Sequence, residues 1–320
     1  MPSKVLITPD MFHKDGEILL KEAGYDVQYT SPTRTITIDE LRTSIMDADA
    51  YIAGSNRVDA DTIDLAKRLR LIARFGVGYD SIDWKYSLDN KIPVTITPGT
   101  NEQSVADMVF ALLLGISRKI PYFDRSIREA NWTPQVLGHE IWSKTIGIIG
   151  TGRIGKAVAK RAKGFDMTTL AFDAYPDSAW ANELGVQYVD LEQLLSQSDY
   201  LSLHLPLTKQ THRLVNNTFL QQMKSSAFLI NTARGQLVDE EALHHALLNR
   251  TIAGAALDVF TKEPLAKNHQ LLEVDNCLLT CHISSHTEEA MRRMSVLCAE
   301  EIIRTGKGQQ PKHPIPEWNN

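Results

Sequence analysis

Three segments in the second half of the chain carry residues whose types could do chemistry together. They read INTARGQLVDEEAL at 230–243, ALDVFTKEPL at 256–265 and LLTCHISSHTEEA at 278–290, and they offer Arg234, Glu263 and His282. Each follows an apolar, strand-like run, which places it at a carboxyl end, where α/β sheets bind ligands. Reduction of a 2-oxo acid needs a group that grips the carboxylate, one that polarises the carbonyl, and one that protonates the oxygen as hydride arrives. The planar fork of Arg234 suits the first two. His282 suits the third, because an imidazole titrates near neutrality. Glu263 can orient that imidazole and favour its protonated form through an adjacent negative charge. In the oxidative direction the same histidine is the base. No metal is required. Singly, an arginine after a strand can be an ion-pair partner, a glutamate before proline a turn residue, and a histidine structural; the weight rests on their order and placement together.

The hydride source is suggested upstream. GIIGTGRIG at 147–155 carries Gly150-x-Gly152-x-x-Gly155 between a strand-like run and a helical one. In that setting Gly150 permits a tight turn, Gly152 lets the backbone approach a pyrophosphate, and Gly155 lets helix and strand pack closely. The helix N-terminus adds free N–H groups and positive dipole. Asp173 ends the next strand, where a carboxylate would accept from the ribose hydroxyls and repel a 2′-phosphate. Ala174, Tyr175 and Pro176 follow it, with no cation to hold that phosphate. The expectation is NAD rather than NADP. Arg153 either lies over the pyrophosphate or is solvated.

The elements that must position these residues alternate throughout. Strands are expected at Lys4–Thr8, Asp49–Ala53, Leu71–Arg74, Pro93–Thr97, Lys144–Ile149, Met167–Phe172, Tyr200–His204, Ala227–Asn231, Ala253–Asp258 and Cys277–Thr280. Helices are expected at Asp15–Ala23, Asp61–Arg68, Val105–Arg118, Lys156–Phe165 and Glu240–Asn249, with a last one from Thr287 to Arg304. Asn101 or Ser104 could cap the third of these, which is apolar on most sides and so expected to be buried between domains or subunits. Residues 119–143, with Trp132 and Trp142, read as an irregular exposed arm. Near-continuous β-branched runs bounded by helices predict parallel sheets covered on both faces. The fold class is α/β, with two doubly wound parallel-sheet domains: a Rossmann NAD-binding domain at 101–287 and a flavodoxin-like substrate domain at 1–100 and 288–320. The cleft between them is the expected active site.

Composition narrows the class. The 320 residues are 43% hydrophobic and 23% charged, with formal net charge −5. That leaves no basic footprint for nucleic acid. No apolar run reaches membrane-spanning length. MPSKVLITPD lacks the apolar core of a signal peptide. Cys277, Cys281 and Cys298 are too few and too clustered for a disulfide framework and form no CxxC, so buried thiols in a cytoplasmic protein are expected.

Several segments in order resemble the NAD-dependent D-2-hydroxyacid dehydrogenases, and most of all their phosphoglycerate dehydrogenase branch. They are ARFGVGYDSID at 73–83, TPGTNEQSVADMVFALLL at 97–114, GIIGTGRIG, HLPLTKQTHRLVN at 204–216, NTARG, LDVFTKEP, and His282-Ile283 followed by TEEA. The resemblance covers nearly the whole chain. It implies that Arg234, Glu263 and His282 are the catalytic set. Phe75, Gly76, Val77 and Gly78 would form the loop whose amides hold the substrate carboxylate. Ser104 and Val105 would pass the nicotinamide, Ala233 and Asp258 would read its carboxamide, and Pro206 would lie near the adenine. Ile154, His204, Thr211 and Thr232 join the cofactor-binding positions. A homodimer, a small 2-hydroxy or 2-oxo acid partner, and a place in serine biosynthesis are implied as well. Some positions depart from the family pattern. Cys281 stands where proline is common, Ser284 where glycine is common and Asp107 where glutamate is usual, and His286 falls at a variable position. Ala53 stands where the phosphoglycerate branch places an arginine. Arg74 matches a family arginine, and Arg57 is a possible substitute cation. The short C-terminus predicts no serine-feedback domain. Reduction of hydroxypyruvate or glyoxylate is the rival enzyme reading. Formate dehydrogenases have Gln where Glu263 stands, while a phosphite-oxidising relative shares the frame. An NAD-sensing corepressor-like binding protein is the non-enzyme reading.

Overall fold

The computed structural model describes residues 3–30, 36–132 and 135–319. The chain forms two compact units, Met1–Asn101 with His286–Asn320, and Glu102–Ser285.

The first unit contains β1 (Lys4–Ile7), α1 (Lys14–Glu22), β2 (Asp26–Tyr29), α2 (Ile38–Ile45), β3 (Ala50–Ala53), α3 (Ala60–Leu65), β4 (Ile72–Arg74), α4 (Trp84–Asp89) and β5 (Val94–Thr95). Its five strands are parallel in the order β2-β1-β3-β4-β5, the flavodoxin-like arrangement. Successive strand residues point to opposite faces. Leu6, Tyr51, Ala53 and Ile72 therefore pack on one side with Leu41 and Ile45 of α2. Val5, Ile7, Ile52 and Ala73 pack on the other with Leu20 of α1 and with Met291, Met294 and Cys298 of the terminal helix. Both faces are covered, which is why these strands read as unbroken apolar runs.

Three elements of this unit leave weak traces in the sequence. Asp26–Tyr29 is a largely exposed edge strand whose alternation spans only four residues. Asp83 caps the short α4. Thr37 caps α2, and the Glu40 side chain reaches back to the Thr37 backbone, a capping box spelled out by the sequence TIDE.

The second unit contains α5 (Glu102–Ser117), α6 (Ile120–Arg128), β6 (Thr145–Ile149), α7 (Arg153–Lys163), β7 (Thr168–Phe172), α8 (Ser178–Leu184), β8 (Gln187–Tyr188), α9 (Leu191–Gln197), β9 (Tyr200–Leu203), α10 (Asn217–Gln222), β10 (Phe228–Asn231), α11 (Glu240–Leu248), β11 (Gly254–Leu257) and β12 (Cys277–Leu279). Its seven parallel strands run β12-β11-β10-β9-β6-β7-β8. The order reverses between β6 and β9, the switch point at which doubly wound sheets bind dinucleotides. Helix α12 (Glu288–Gly306), capped by Thr287 and with Glu288 and Glu289 in its first turn, belongs to the first unit.

Two expectations are corrected here. Residues 119–143 are not wholly irregular: α6 occupies 120–128, with Pro121 in its first turn, a position where proline suits a helix start. And α5 needs no neighbouring domain or subunit to explain its apolar character. Val109, Phe110, Leu112 and Leu113 are buried inside the second unit with Val158 and Ala162 of α7 and with strand residues Ile146, Ile148, Ile230 and Ala256. It begins at Glu102, directly after Asn101, so Ser104 lies within the helix.

Candidate active site

The nucleotide side of the second unit is built at the ends of β6, β7 and β8. Gly150 has φ +95°, open to glycine at little cost, and a side chain there would meet the His204 carbonyl. A Cβ on Gly155 would collide with the Gly150 carbonyl oxygen, so α7 lies close against the loop only because this residue is glycine. A Cβ on Gly152 would meet nothing within 4 Å, so space stands open at the N-terminus of α7. Arg153 is exposed and Ile154 half-buried there.

Asp173 lies beside this loop, because Ile149 pairs with Phe172 across β6 and β7. Its Oδ2 accepts from the Thr151 amide at 2.5 Å and the Thr151 hydroxyl at 2.9 Å; its Oδ1 accepts from the Tyr175 amide at 2.9 Å. Burial alone would raise its pKa, but these donors outweigh it and hold the carboxyl below its usual range. Asp173 is therefore an anion at neutral pH, with acceptor capacity remaining on Oδ1.

The chemistry side lies at the ends of β10, β11 and β12, neighbours in one sheet. Arg234 follows β10. The Asn231 side chain braces its turn, donating to the Arg234 carbonyl at 2.8 Å and accepting from the Ala233 amide at 3.0 Å. The Arg234 guanidinium donates to the Ala233 carbonyl at 2.7 Å. Gly235 brings this turn against the loop after β11, for a Cβ there would collide with the Phe260 backbone. That loop presents Glu263, whose Oε1 accepts from the Phe260 amide at 2.9 Å and whose Oε2 lies 2.7 Å from Nδ1 of His282. Burial pushes the Glu263 pKa up, but His282, the Phe260 amide and the Arg234 charge together pull it below its usual range. Glu263 is thus an anionic partner for the imidazole, and Nε2 of His282 is left as the nitrogen that can meet a substrate. The three residues singled out from the sequence are brought to three adjacent strand ends.

His282 sits at φ +56°, in the left-handed region unusual for a side-chain-bearing residue. Asp258, fully buried, holds this loop. Oδ1 accepts from the Thr280 hydroxyl at 2.6 Å and the Ile283 amide at 2.9 Å. Oδ2 accepts from the Ser284 amide at 2.8 Å and from the Ser284 hydroxyl. The His282 amide donates to the Asp258 carbonyl at 2.7 Å. Expected as a reader of the carboxamide, Asp258 thus has both carboxylate oxygens engaged by the histidine loop. Sequence reasoning missed this anchoring role; the hydroxyl at Ser284, where glycine is common in the family pattern, was its one visible sign. Cys281, beside the histidine, is exposed.

Of the remaining cofactor positions, Thr232 is buried with a hydroxyl that has no hydrogen-bond partner. Ala233 beside it is half-buried, and Ser104 and Val105 are buried in the first turn of α5. The Thr211 hydroxyl donates to the Pro206 carbonyl at 2.7 Å and shapes the turn on which Pro206 is exposed. Burial pushes His204 down to about 3, so it is neutral at physiological pH, with Nε2 2.9 Å from the Ser202 hydroxyl. The orphaned hydroxyl of Thr232, the open space at Gly152 and the anionic Asp173 are donors, room and acceptor of the kinds a dinucleotide requires, and these residues fit NAD. Among the described residues no cluster of three or more His, Cys, Asp or Glu side chains could hold a metal ion, and no helix is long and apolar enough to cross a membrane.

In the first unit the loop after β4 carries the expected substrate amides. Gly76, at φ +136°, donates to the Thr97 hydroxyl at 3.0 Å, while the amides of Val77 and Gly78 donate to no group among the described residues. Arg74 holds this loop from below. Its Nε donates to the Gly78 carbonyl at 2.7 Å, and one terminal nitrogen donates to the carbonyls of Phe75 at 2.5 Å and Ala53 at 3.1 Å. Ala53 is fully buried, and Arg57 and His286 are exposed.

Comparison with known proteins places these features in context. Residues 110–284, more than half of the chain, match the family model described as D-isomer specific 2-hydroxyacid dehydrogenase, NAD binding domain. The chain is 40% identical over 290 residues to a glyoxylate reductase of Korarchaeum cryptofilum, covering 89% of this chain and 86% of that one. It is 40% identical over 279 residues to a D-3-phosphoglycerate dehydrogenase of Archaeoglobus fulgidus, covering 87% of this chain but 53% of that one. Among solved structures, the TT0316 protein of Thermus thermophilus is 36% identical with a TM-score of 0.89, over 98% of this chain and 99% of that one.

Proposed function

The chain belongs to the D-isomer specific 2-hydroxyacid dehydrogenase family, a family of NAD-dependent oxidoreductases, and from that premise we propose that it reduces small unphosphorylated 2-oxo acids of the glyoxylate and hydroxypyruvate class. The reaction delivers a hydride to C2 and a proton to the carbonyl oxygen, giving the 2-hydroxy acid. NADH, when bound, supplies the hydride. His282 supplies the proton from Nε2, since Glu263 engages Nδ1. Arg234 carries the positive charge that polarises the carbonyl and pairs with the carboxylate. Within the first unit, the amides of Val77 and Gly78 are the carboxylate donors that the family resemblance implies. In the reverse direction Nε2 accepts the proton from the alcohol. The observation that carries this reading is the 2.7 Å pair of His282 and Glu263 on strand ends adjacent to that of Arg234.

The substrate class rests on the first unit. A phosphorylated substrate needs a cation beyond the one that binds its carboxylate. Buried Ala53 stands where the phosphoglycerate branch places an arginine, and Arg74 directs its guanidinium at three backbone carbonyls. The kinship with a glyoxylate reductase supports the same choice. The second reading is phosphoglycerate oxidation, with a place in serine biosynthesis; the Archaeoglobus relative favours it, and exposed Arg57 would then be the phosphate cation. Asp173 favours NAD over NADP by accepting from ribose hydroxyls and repelling a 2′-phosphate. The exposed apolar residues of α6 and the segment after it, with Trp132 at 82% and Leu137 at 83% exposure, support a homodimer through that face.

Steady-state NADH oxidation with glyoxylate, hydroxypyruvate, pyruvate and 3-phosphohydroxypyruvate separates the two readings. A kcat/KM at least tenfold higher for glyoxylate or hydroxypyruvate than for the phosphorylated acid is expected. The opposite ranking would replace the proposal by the second reading.

A further inference from the structure

At the adenosine end of the second unit, a line of hydroxyl groups leads to Asp173 from a residue with no chemistry of its own in the reaction. Tyr188 ends the short strand β8, which pairs with β7 so that Ala171 lies opposite Tyr188. Its hydroxyl is 2.8 Å from the Thr151 hydroxyl and accepts from the Asp177 amide at 3.1 Å. The proton order along this line is fixed. Asp173 is a carboxylate and can only accept, so Thr151 commits its one hydroxyl proton to Asp173. Thr151 then has only lone pairs to offer Tyr188, and Tyr188 must donate to it. The amide of Asp177 can only donate. The line therefore runs one way, Asp177 N–H to Tyr188 to Thr151 to Asp173.

We propose that Tyr188 is a positioning residue for the choice between NAD and NADP, acting through Thr151 on Asp173; this rests on the NAD preference assigned to Asp173. Two consequences of the line point the same way. The first is that Asp173 is held with Oδ2 filled by both donors of Thr151, leaving Oδ1 as the oxygen that faces a ribose hydroxyl. The second concerns the turn at Asp177. That residue caps α8 through the Trp180 amide at 3.1 Å and takes Lys156 of α7 at 2.5 Å, with the ammonium also 5.1 Å from the centre of the Trp180 ring. Lys156 is a cation of this corner that could serve a 2′-phosphate, and the tyrosine-braced turn keeps it engaged. Loss of the Tyr188 hydroxyl removes the donor that orients the Thr151 hydroxyl on Asp173, and it removes the acceptor of the Asp177 amide, which loosens the turn that holds Lys156. Both changes erode discrimination against the phosphorylated dinucleotide.

The test is direct binding, by isothermal titration calorimetry, of NADH and NADPH to the full chain without substrate. Wild-type protein should bind NADH more tightly; equal affinities would sink the Asp173 reading and this proposal with it. Given that preference, Tyr188→Phe should narrow the ratio of dissociation constants by about three- to tenfold, the loss of one hydrogen bond to a charged network. Thr151→Val should narrow it similarly, Thr151→Ser should retain it, and Tyr188→Phe added to Thr151→Val should narrow it by less than the sum of the two single effects, the remainder being the part that runs through the Asp177 turn. If Tyr188→Phe weakens both dinucleotides equally, or if its effect adds in full to that of Thr151→Val, the tyrosine is only a packing residue and the proposal is wrong while the NAD preference stands. Should Tyr188→Phe not fold, the Thr151→Val and Thr151→Ser pair decides alone: equal ratios in the two would overturn the relay.

Discussion

Two aspartates follow separate strands of the same sheet and meet different surroundings. Asp258, after β11, is fully buried and takes four donors, all from residues 280–284. Asp173, after β7, is half-buried and takes three, two on one oxygen and one on the other. A carboxylate can accept about four hydrogen bonds. The saturated one holds its own loop, the left-handed turn that presents His282. The unsaturated one keeps room for a ligand. The difference lies in how many acceptor positions the protein itself fills: all of them on a carboxylate engaged by its own loop, fewer on one that retains capacity.

The comparison can be broken by removing each in turn. Asp258→Asn replaces one of the two acceptor oxygens by an NH2 donor, which then faces either the Ile283 or the Ser284 amide and leaves buried polar groups unpaired. We expect kcat to fall by on the order of a hundredfold, as the histidine loop shifts, with a lowered melting temperature and NADH affinity altered far less. An unchanged kcat would mean that the turn is held by something else. Asp173→Ala should act in the opposite manner. NADH should bind about tenfold more weakly by calorimetry, its advantage over NADPH should shrink, and kcat at saturating NADH should change little. An undiminished preference would return Asp173 to a purely local role in its turn.

A smaller effect comes from His204, beside the glycine loop. Burial pushes its pKa from about 6.5 in the unfolded chain to about 3. Below pH 6.5 the unfolded state binds a proton that the folded state refuses, so folding weakens as pH falls from about 6.5 towards 3. His204→Gln should flatten the dependence of melting temperature on pH within that window and leave it unchanged above. An identical profile in the variant would show that this histidine is solvated in the folded protein.

Much of this arrangement was legible in the sequence, and the limits have physical causes. Gly150 and Gly155 announce themselves, because only glycine tolerates the turn and the close helix approach they make, and Gly152 was readable through its spacing to them. Arg234, Glu263 and His282 were readable because each follows a strand, and parallel strands bring their carboxyl ends to one edge. The anchoring role of Asp258 was hidden because its partners lie more than twenty residues along the chain and become neighbours only when β11 and β12 pair. Tyr188 was hidden in the same way, on a two-residue strand whose pairing no apolar pattern advertises. Helix α6 was overlooked because much of its apolar surface is exposed, although Pro121 marked its start; α2 was overlooked although Thr37 and Glu40 spelled its cap.

The central claim is that His282, held by Glu263 and by the Asp258 loop, is the proton donor of a hydride transfer. Its most direct test is His282→Ala, with kcat for glyoxylate reduction and the NADH dissociation constant measured on the same preparation. A fall in kcat of about 10²- to 10⁴-fold with NADH affinity kept within about twofold is the predicted result. Turnover close to wild type, with NADH still bound, would contradict it.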